Sequence, residues 1–133
     1  IGINNLIPGD VQEIKVTERQ MKVQTKVGPL ICLSDGRFKA GDRCMISVRP
    51  ETASISKSEE AQEGFNWVSG SVSFAYYIGN TIRYDVEISG DLIFKVDIQN
   101  PWDHRPLSIG EKVYISFPIK TALGIPLTLP LSP

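Results

Sequence analysis

Apolar side chains fall on alternate positions through almost every ordered-looking stretch of this chain, which is the period of a half-buried β-strand. In "MKVQTKV", Met21, Val23, Thr25 and Val27 share one face while Lys22, Gln24 and Lys26 share the other. "IRYDVEI" repeats the pattern, with Ile82, Tyr84, Val86 and Ile88 opposite Arg83, Asp85 and Glu87. So does "LIFKVDI", with Leu92, Phe94, Val96 and Ile98 opposite Lys95, Asp97 and Gln99. Cys44, Ile46 and Val48 form another row, echoed by Val113, Ile115 and Phe117. Turn pairs separate the runs at Gly28-Pro29, Asp35-Gly36, Gly79-Asn80 and Gly90-Asp91; Gly28-Pro29 does not suit a primed two-residue hairpin. No longer stretch carries a helical period. The best short candidate, "SKSEEAQEG" over 56–64, predicts one solvated turn bearing Glu59, Glu60 and Glu63.

Two of these rows are near copies. "GDRCMISVRPE" over 41–51 matches "GEKVYISFPIK" over 110–120, with Gly41 on Gly110, Asp42 on Glu111, Arg43 on Lys112 and Ile46-Ser47 on Ile115-Ser116. Upstream, "GDV" at 9–11 matches "GSV" at 70–72, a spacing of 61, whereas the closing strands lie 69 apart. The second copy is therefore longer by 8 residues, which fall in "QNPWDHRPLSIG" over 99–110 against "SDGRFKAG" over 34–41. The expectation is an all-β chain made of two related lobes, a duplicated small barrel, since closure hides the reactive edges of a sheet. The partition that follows is a junction over 1–8, a first lobe over 9–56, a polar connector over 57–68, a second lobe over 69–120 and a tail over 121–133. Arg49-Pro50-Glu51 ends only the first copy on this reading.

With 133 residues the chain is long enough to bury a core without metals or disulfides. Its formal net charge of -1 and pI near 5.8 argue against a general nucleic-acid binder. Cys32 and Cys44, the only cysteines, sit in apolar runs and read as buried reduced thiols. No Asn-x-Ser/Thr site or signal peptide is found, which fits a cytoplasmic setting. No run reaches the roughly 18 apolar residues of a membrane helix, and the tail is broken by Gly124, Pro126 and Pro130. The opening on Ile1 rather than Met reads as the middle of a longer polypeptide.

Candidate chemistry is sparse. There is no phosphate-cradling P-loop, dinucleotide fingerprint or nucleophile elbow. His104 is the single histidine, so no histidine metal site can be built; it is either a lone base or a surface residue. Asp85, Glu87 and Asp97 lie on polar strand faces, where solvation accounts for them. The proline-stiffened loop "QNPWDHRPL" combines Trp102, His104 and Arg105. Trp102 with Arg105 could contact a partner or ligand, or Trp102 could plug a barrel end. Arg49 and Glu51, on either side of a strand-stopping Pro50, could pair with each other or across an interface. These five residues are the candidate contacts; catalytic, cofactor and metal residues are expected to be none.

Taken together, "IGINNLIPGDV", "GDRCMISVRPE", "GSVSFAYYIGNTIRYDVEI" and "GEKVYISFP" resemble, in order and over nearly the whole chain, the C-terminal TOBE (transport-associated OB) region of ABC importer ATPase subunits. The likeness is to the polyamine, ferric-iron and maltose-type group. It implies OB-like barrels that intertwine, a non-catalytic regulatory and dimer-forming role in ATP-driven solute uptake, and a position at the inner face of the membrane. Implied partners are a second copy of the subunit, a nucleotide-binding domain, membrane permease subunits reached through it, and a small-molecule or protein regulator. ATP and Mg would bind the nucleotide-binding domain, whose Walker motifs and signature loop are missing here; Gly2, Asn5 and Leu6 would sit at its junction. Two rival readings remain: a free-standing sensor of an oxyanion, polyamine or sugar, and an OB nucleic-acid binder stacking bases on Tyr76, Tyr77 and Tyr84.

Overall fold

The structure, a computed structural model, describes residues 3–59 and 61–127. Glu60 of the charge run, Gly2 of the junction and the last six residues of the tail lie outside the described residues. Ten strands follow one another: β1 (Asn5–Lys15), β2 (Gln20–Thr25), β3 (Gly28–Leu33), β4 (Arg43–Val48), β5 (Ser54–Ser56), β6 (Phe65–Ile78), β7 (Thr81–Ser89), β8 (Leu92–Gln99), β9 (Lys112–Pro118) and β10 (Leu123–Pro126). The only helical pieces among the described residues are 3-10 turns at Pro50–Thr52, Pro101–Asp103 and Ile119–Thr121. The fold is thus all-β and OB-like, as the alternation predicts. The helical turn expected over 56–64 is not formed among its described residues, because that stretch has no apolar face to pack.

The period-two rows face inward. Met21, Val23, Cys32, Cys44, Ile46 and Val48 fill the first lobe, and Tyr84, Val86, Phe94, Val96, Val113, Ile115 and Phe117 fill the second, all at most 1% exposed. Phe94 stacks on Phe117 with ring centroids 5.5 Å apart. Burying each such side chain contributes about 1.5–3 kcal/mol, and the interior is large enough to hold the lobes without a staple.

Strand order shows how the copies interlock. The first barrel closes as β1-β2-β3-β10-β4, and the second sheet runs β5-β9-β6-β7-β8. Each lobe supplies its own first four strands, while the fifth comes from the other half of the chain. β10 lies antiparallel to β4, with Leu123 opposite Ser47, and β5 lies antiparallel to β9, with Ile55 opposite Ile115. The lobes are therefore intertwined. The span 9–56 gives its last residues to the second sheet, and the span 121–133 gives Leu123–Pro126 to the first barrel. Asn5–Pro8 and Phe65–Val68 extend β1 and β6 into the stretches read as junction and connector.

Both closing strands end alike, which corrects the view that Arg49-Pro50-Glu51 caps one copy only. After β4, Thr52 Oγ1 donates to the Arg49 carbonyl at 2.8 Å and Ala53 N donates to the Pro50 carbonyl at 3.4 Å. After β9, Thr121 Oγ1 donates to the Pro118 carbonyl at 3.0 Å and Ala122 N donates to the Ile119 carbonyl at 3.0 Å. The repeat runs on through Thr-Ala, and each 3-10 turn is the crossover that carries the chain to the other lobe.

The opening strands match as well. β1 and β6 are each bulged, between Val11 and Glu13 and between Val72 and Phe74. Gly41 N donates to the Val11 carbonyl at 2.8 Å, and Gly110 N donates to the Val72 carbonyl at 2.7 Å. Gly9 and Gly70 precede these bulges where a neighbouring strand crosses closely. A Cβ on Gly9 would lie 2.5 Å from Val23 Cγ1 and 2.6 Å from the Gln24 carbonyl oxygen, and one on Gly70 would strike the Glu87 carbonyl oxygen.

Candidate functional site

Two side-chain amides join the lobes. Asn66, on β6, donates from Nδ2 to the Ile31 carbonyl at 2.7 Å, and its Oδ1 accepts from Ile31 N at 2.8 Å. Asn5, on β1, does the same to Lys95 of β8, donating to its carbonyl at 2.9 Å and accepting from its N–H at 2.7 Å. β8 is an edge strand, and β3 meets β10 only at Leu33. Each asparagine thus imitates one rung of a neighbouring strand on an otherwise open edge. Both are buried, at 5% and 7% exposure, and they stand 61 residues apart, the same offset as Gly9 and Gly70. Asn5 therefore holds the lobes together as well as lying in the stretch read as a junction.

The residues singled out from sequence fall into separate hydrogen-bonded sets. Arg49 Nε pairs with Glu51 Oε2 at 3.0 Å on the exposed first crossover. The Glu51 carboxyl is held below its usual range, chiefly by its own backbone N–H and then by Arg49. Trp102 is 74% exposed, which corrects the reading of it as a barrel plug. The plug comes from the residues beside it. His104 Nε2 meets the buried Tyr84 hydroxyl at 2.8 Å, the same hydroxyl accepts from Leu107 N at 3.1 Å, and Leu107 packs against the core. Since Leu107 N can only donate, the Tyr84 hydroxyl donates to His104, whose Nε2 is then the unprotonated nitrogen. Burial lowers the His104 pKa from 6.5. Arg105 is exposed, and no hydrogen bond or ion pair among the described residues links the crossover pair to Trp102, His104 or Arg105.

The outer face of the second sheet carries a paired charge network that the sequence reading assigned to solvent. Arg83 grips Asp97 with Nε at 2.7 Å and Nη2 at 2.9 Å, and Lys95 reaches Asp85 at 2.8 Å. Burial opposes the charge on Lys95, but hydrogen bonds from Asp85 and Tyr76 outweigh it and raise its pKa. Every charge here is matched across strands, which leaves no spare group for acid–base work. Tyr84 lies in the core at 1% exposure, so it cannot stack a base. No group of His, Cys, Asp and Glu among the described residues could hold a metal ion, and no helix among them is long and apolar enough to cross a membrane.

Comparison with known proteins places this geometry. A family described as the TOBE domain matches residues 46–123. A spermidine/putrescine import ATP-binding protein PotA of Thermotoga maritima is 33% identical over 97 residues, which is 72% of this chain and 26% of the relative. The PotA protein of Fusobacterium nucleatum is 31% identical over 105 residues, 75% of this chain and 28% of that protein. The chain spans about a quarter of the length of these curated relatives. Among solved structures, the cytoplasmic molybdate-binding protein ModG, crystallised with molybdate bound, superposes with a TM-score of 0.78 at 11% identity, covering 94% of this chain and 97% of that one. That likeness is one of fold.

Proposed function

This chain belongs to the TOBE domain family, and from that premise we propose that it is the non-catalytic regulatory and dimer-forming domain of an ABC importer ATP-binding subunit, acting in ATP-driven solute uptake. The observation that carries the proposal is the match to about a quarter of two import ATP-binding proteins, by a chain with no P-loop of its own. The names of both relatives support a polyamine as the solute moved. The working partners are a second copy of the subunit, the nucleotide-binding domain and, through it, the permease at the inner face of the membrane. ATP and Mg belong to that nucleotide-binding domain.

A domain in this role has to transmit position without doing chemistry. Exchanged fifth strands and the two asparagine clasps support that role, because they make the lobes one rigid body. The Arg49–Glu51 pair and Trp102 are the exposed contacts to test first at a partner surface. The deciding experiment reads the coding sequence upstream of Ile1. A Walker A motif and a signature loop are expected in frame, and their absence would sink the proposal. In the assembled transporter, Trp102→Ala and Arg49→Ala should change the coupling of ATP hydrolysis to uptake while the isolated chain folds normally.

A further inference from the structure

The two lobes differ at one end. In the second, the loop after β8 is longer by 8 residues and folds over the barrel mouth, held by the Tyr84 hydroxyl through His104 and Leu107. In the first, Met21 takes the place of Tyr84: each lies two residues before the valine that pairs with the bulged valine of the opening strand, Val23 with Val11 and Val86 with Val72. A thioether has no O–H to hold a loop, and the loop over 34–41 is short. The first mouth therefore stays open, as a cavity of about 1130 Å³ between the β1–β2 turn, the β3–β4 loop and the start of β10.

The lining of that cavity has two parts. Ile14, Val16, Leu33, Phe38 and Leu123 give it an apolar wall, with Val16 81% and Leu123 50% exposed. Lys15, Arg19 and Lys39 stand on its rim, and none of the three has an ion-pair partner among the described residues. Of the two rim carboxylates, Asp35 is already engaged by Arg37 at 2.6 Å, which leaves Glu18 against three cations. Arg19 is set in the left-handed region, φ 54, where its carbonyl accepts from Ser34 N at 2.8 Å and ties the two rim loops together. Concave apolar walls with a few converging polar groups are the usual make-up of a small-molecule site, and the long stems of Lys and Arg can lie along an apolar ligand while their charges meet its head.

We infer that the open mouth of the first barrel binds a small organic anion with an apolar body, such as a medium-chain or aromatic carboxylate, and that the second barrel fills the matching position with its own loop. The inference does not depend on the transport reading, because it is tested on the 133-residue chain. Decanoate and 1-naphthoate are titrated into ¹⁵N-labelled protein. At least one should shift the amides of residues 14–20, 33–40 and 123–124 as a group, while decanol binds about tenfold more weakly and spermidine leaves these amides unmoved. The triple variant Lys15→Gln, Arg19→Gly, Lys39→Gln should keep the thermal midpoint and lose at least about tenfold in affinity; glycine suits the left-handed site. Silence with both anions overturns the site, as do shifts centred elsewhere. Equal binding of decanol, or full affinity in the triple variant, overturns the charge selection.

Discussion

Replacing Asn66 with alanine removes two hydrogen bonds, of 2.7 and 2.8 Å, from the backbone of Ile31. Nothing nearby can replace them: Ile31 faces Lys22 of β2 on one side, and on the other it has only Asn66. The loss therefore combines two bonds of about 1 kcal/mol each with the cost of leaving a shielded N–H and C=O unmet, for a total of about 2–4 kcal/mol. At a urea slope of about 1–3 kcal/mol per molar, the unfolding midpoint should fall by about 1–2 M with the slope unchanged. Asn5→Ala should cost a similar amount, since its bonds to Lys95 of 2.9 and 2.7 Å repeat the arrangement. The exposed neighbour Asn4→Ala should move the midpoint by less than about 0.5 kcal/mol. An Asn66→Ala protein as stable as the parent would refute the claim that these amides seal open strand edges. A large loss at Asn66 with none at Asn5 would refute the equivalence of the two lobes.

Three further outcomes follow from single groups. His104 has its pKa lowered by burial from 6.5, so its contribution to stability is complete above that pH and is lost as the pH falls through the folded-state value. Urea unfolding of the parent should weaken below pH 6.5 relative to His104→Gln, and parallel pH profiles would dismiss the Tyr84 bond as the cause. Burial pushes the Cys32 thiol up to about 12, with Cys44 adding to it, and Cys44 is raised by burial too. Both thiols should resist an aromatic disulfide reagent in the native protein and react once urea unfolds it; fast native labelling would contradict the closed first barrel. Gly70→Ala would drive a Cβ against the Glu87 carbonyl oxygen and to 2.9 Å from Val86 Cγ1, costing about 1–3 kcal/mol by overpacking; calorimetry showing an unchanged thermal midpoint would refute the tight crossing.

Much of the fold could be read from the alternation, because period two fixes which side chains face inward whatever the strand pairs with. That is why Met21, Val23, Tyr84, Val86 and the two closing rows all lie where the pattern puts them. The same pattern is silent on which sheet a strand joins. β5 and β10 are three and four residues long, too short to show a period, and they are the two strands that change lobes. A signal for the exchange was nevertheless present. Thr52-Ala53 and Thr121-Ala122 are 69 residues apart, the spacing of Gly41 and Gly110, so the copy extends past the strand into the crossover. Asn5 and Asn66 share the 61-residue offset of the two bulge glycines in the same way, and that offset could have marked them as a pair.

Duplication also separates architecture from function in a manner that one lobe alone would not allow. A feature present in both copies at the same offset, such as the bulge glycine, the asparagine clasp or the Thr-Ala crossover, is accounted for by closing and joining two barrels. A feature present in only one copy needs another reason. The long loop is such a feature: closing the second mouth uses the Tyr84 hydroxyl, His104 and Leu107, while Trp102 on the same loop is left 74% exposed. If barrel closure were the only demand, the tryptophan would be the residue to turn inward, since it covers more apolar area than leucine. Its outward position assigns Leu107 to the core and frees Trp102 for contact. The open first mouth with its three rim cations is the second such feature, so the two asymmetries divide the domain into a lobe that presents a surface and a lobe that offers a cavity.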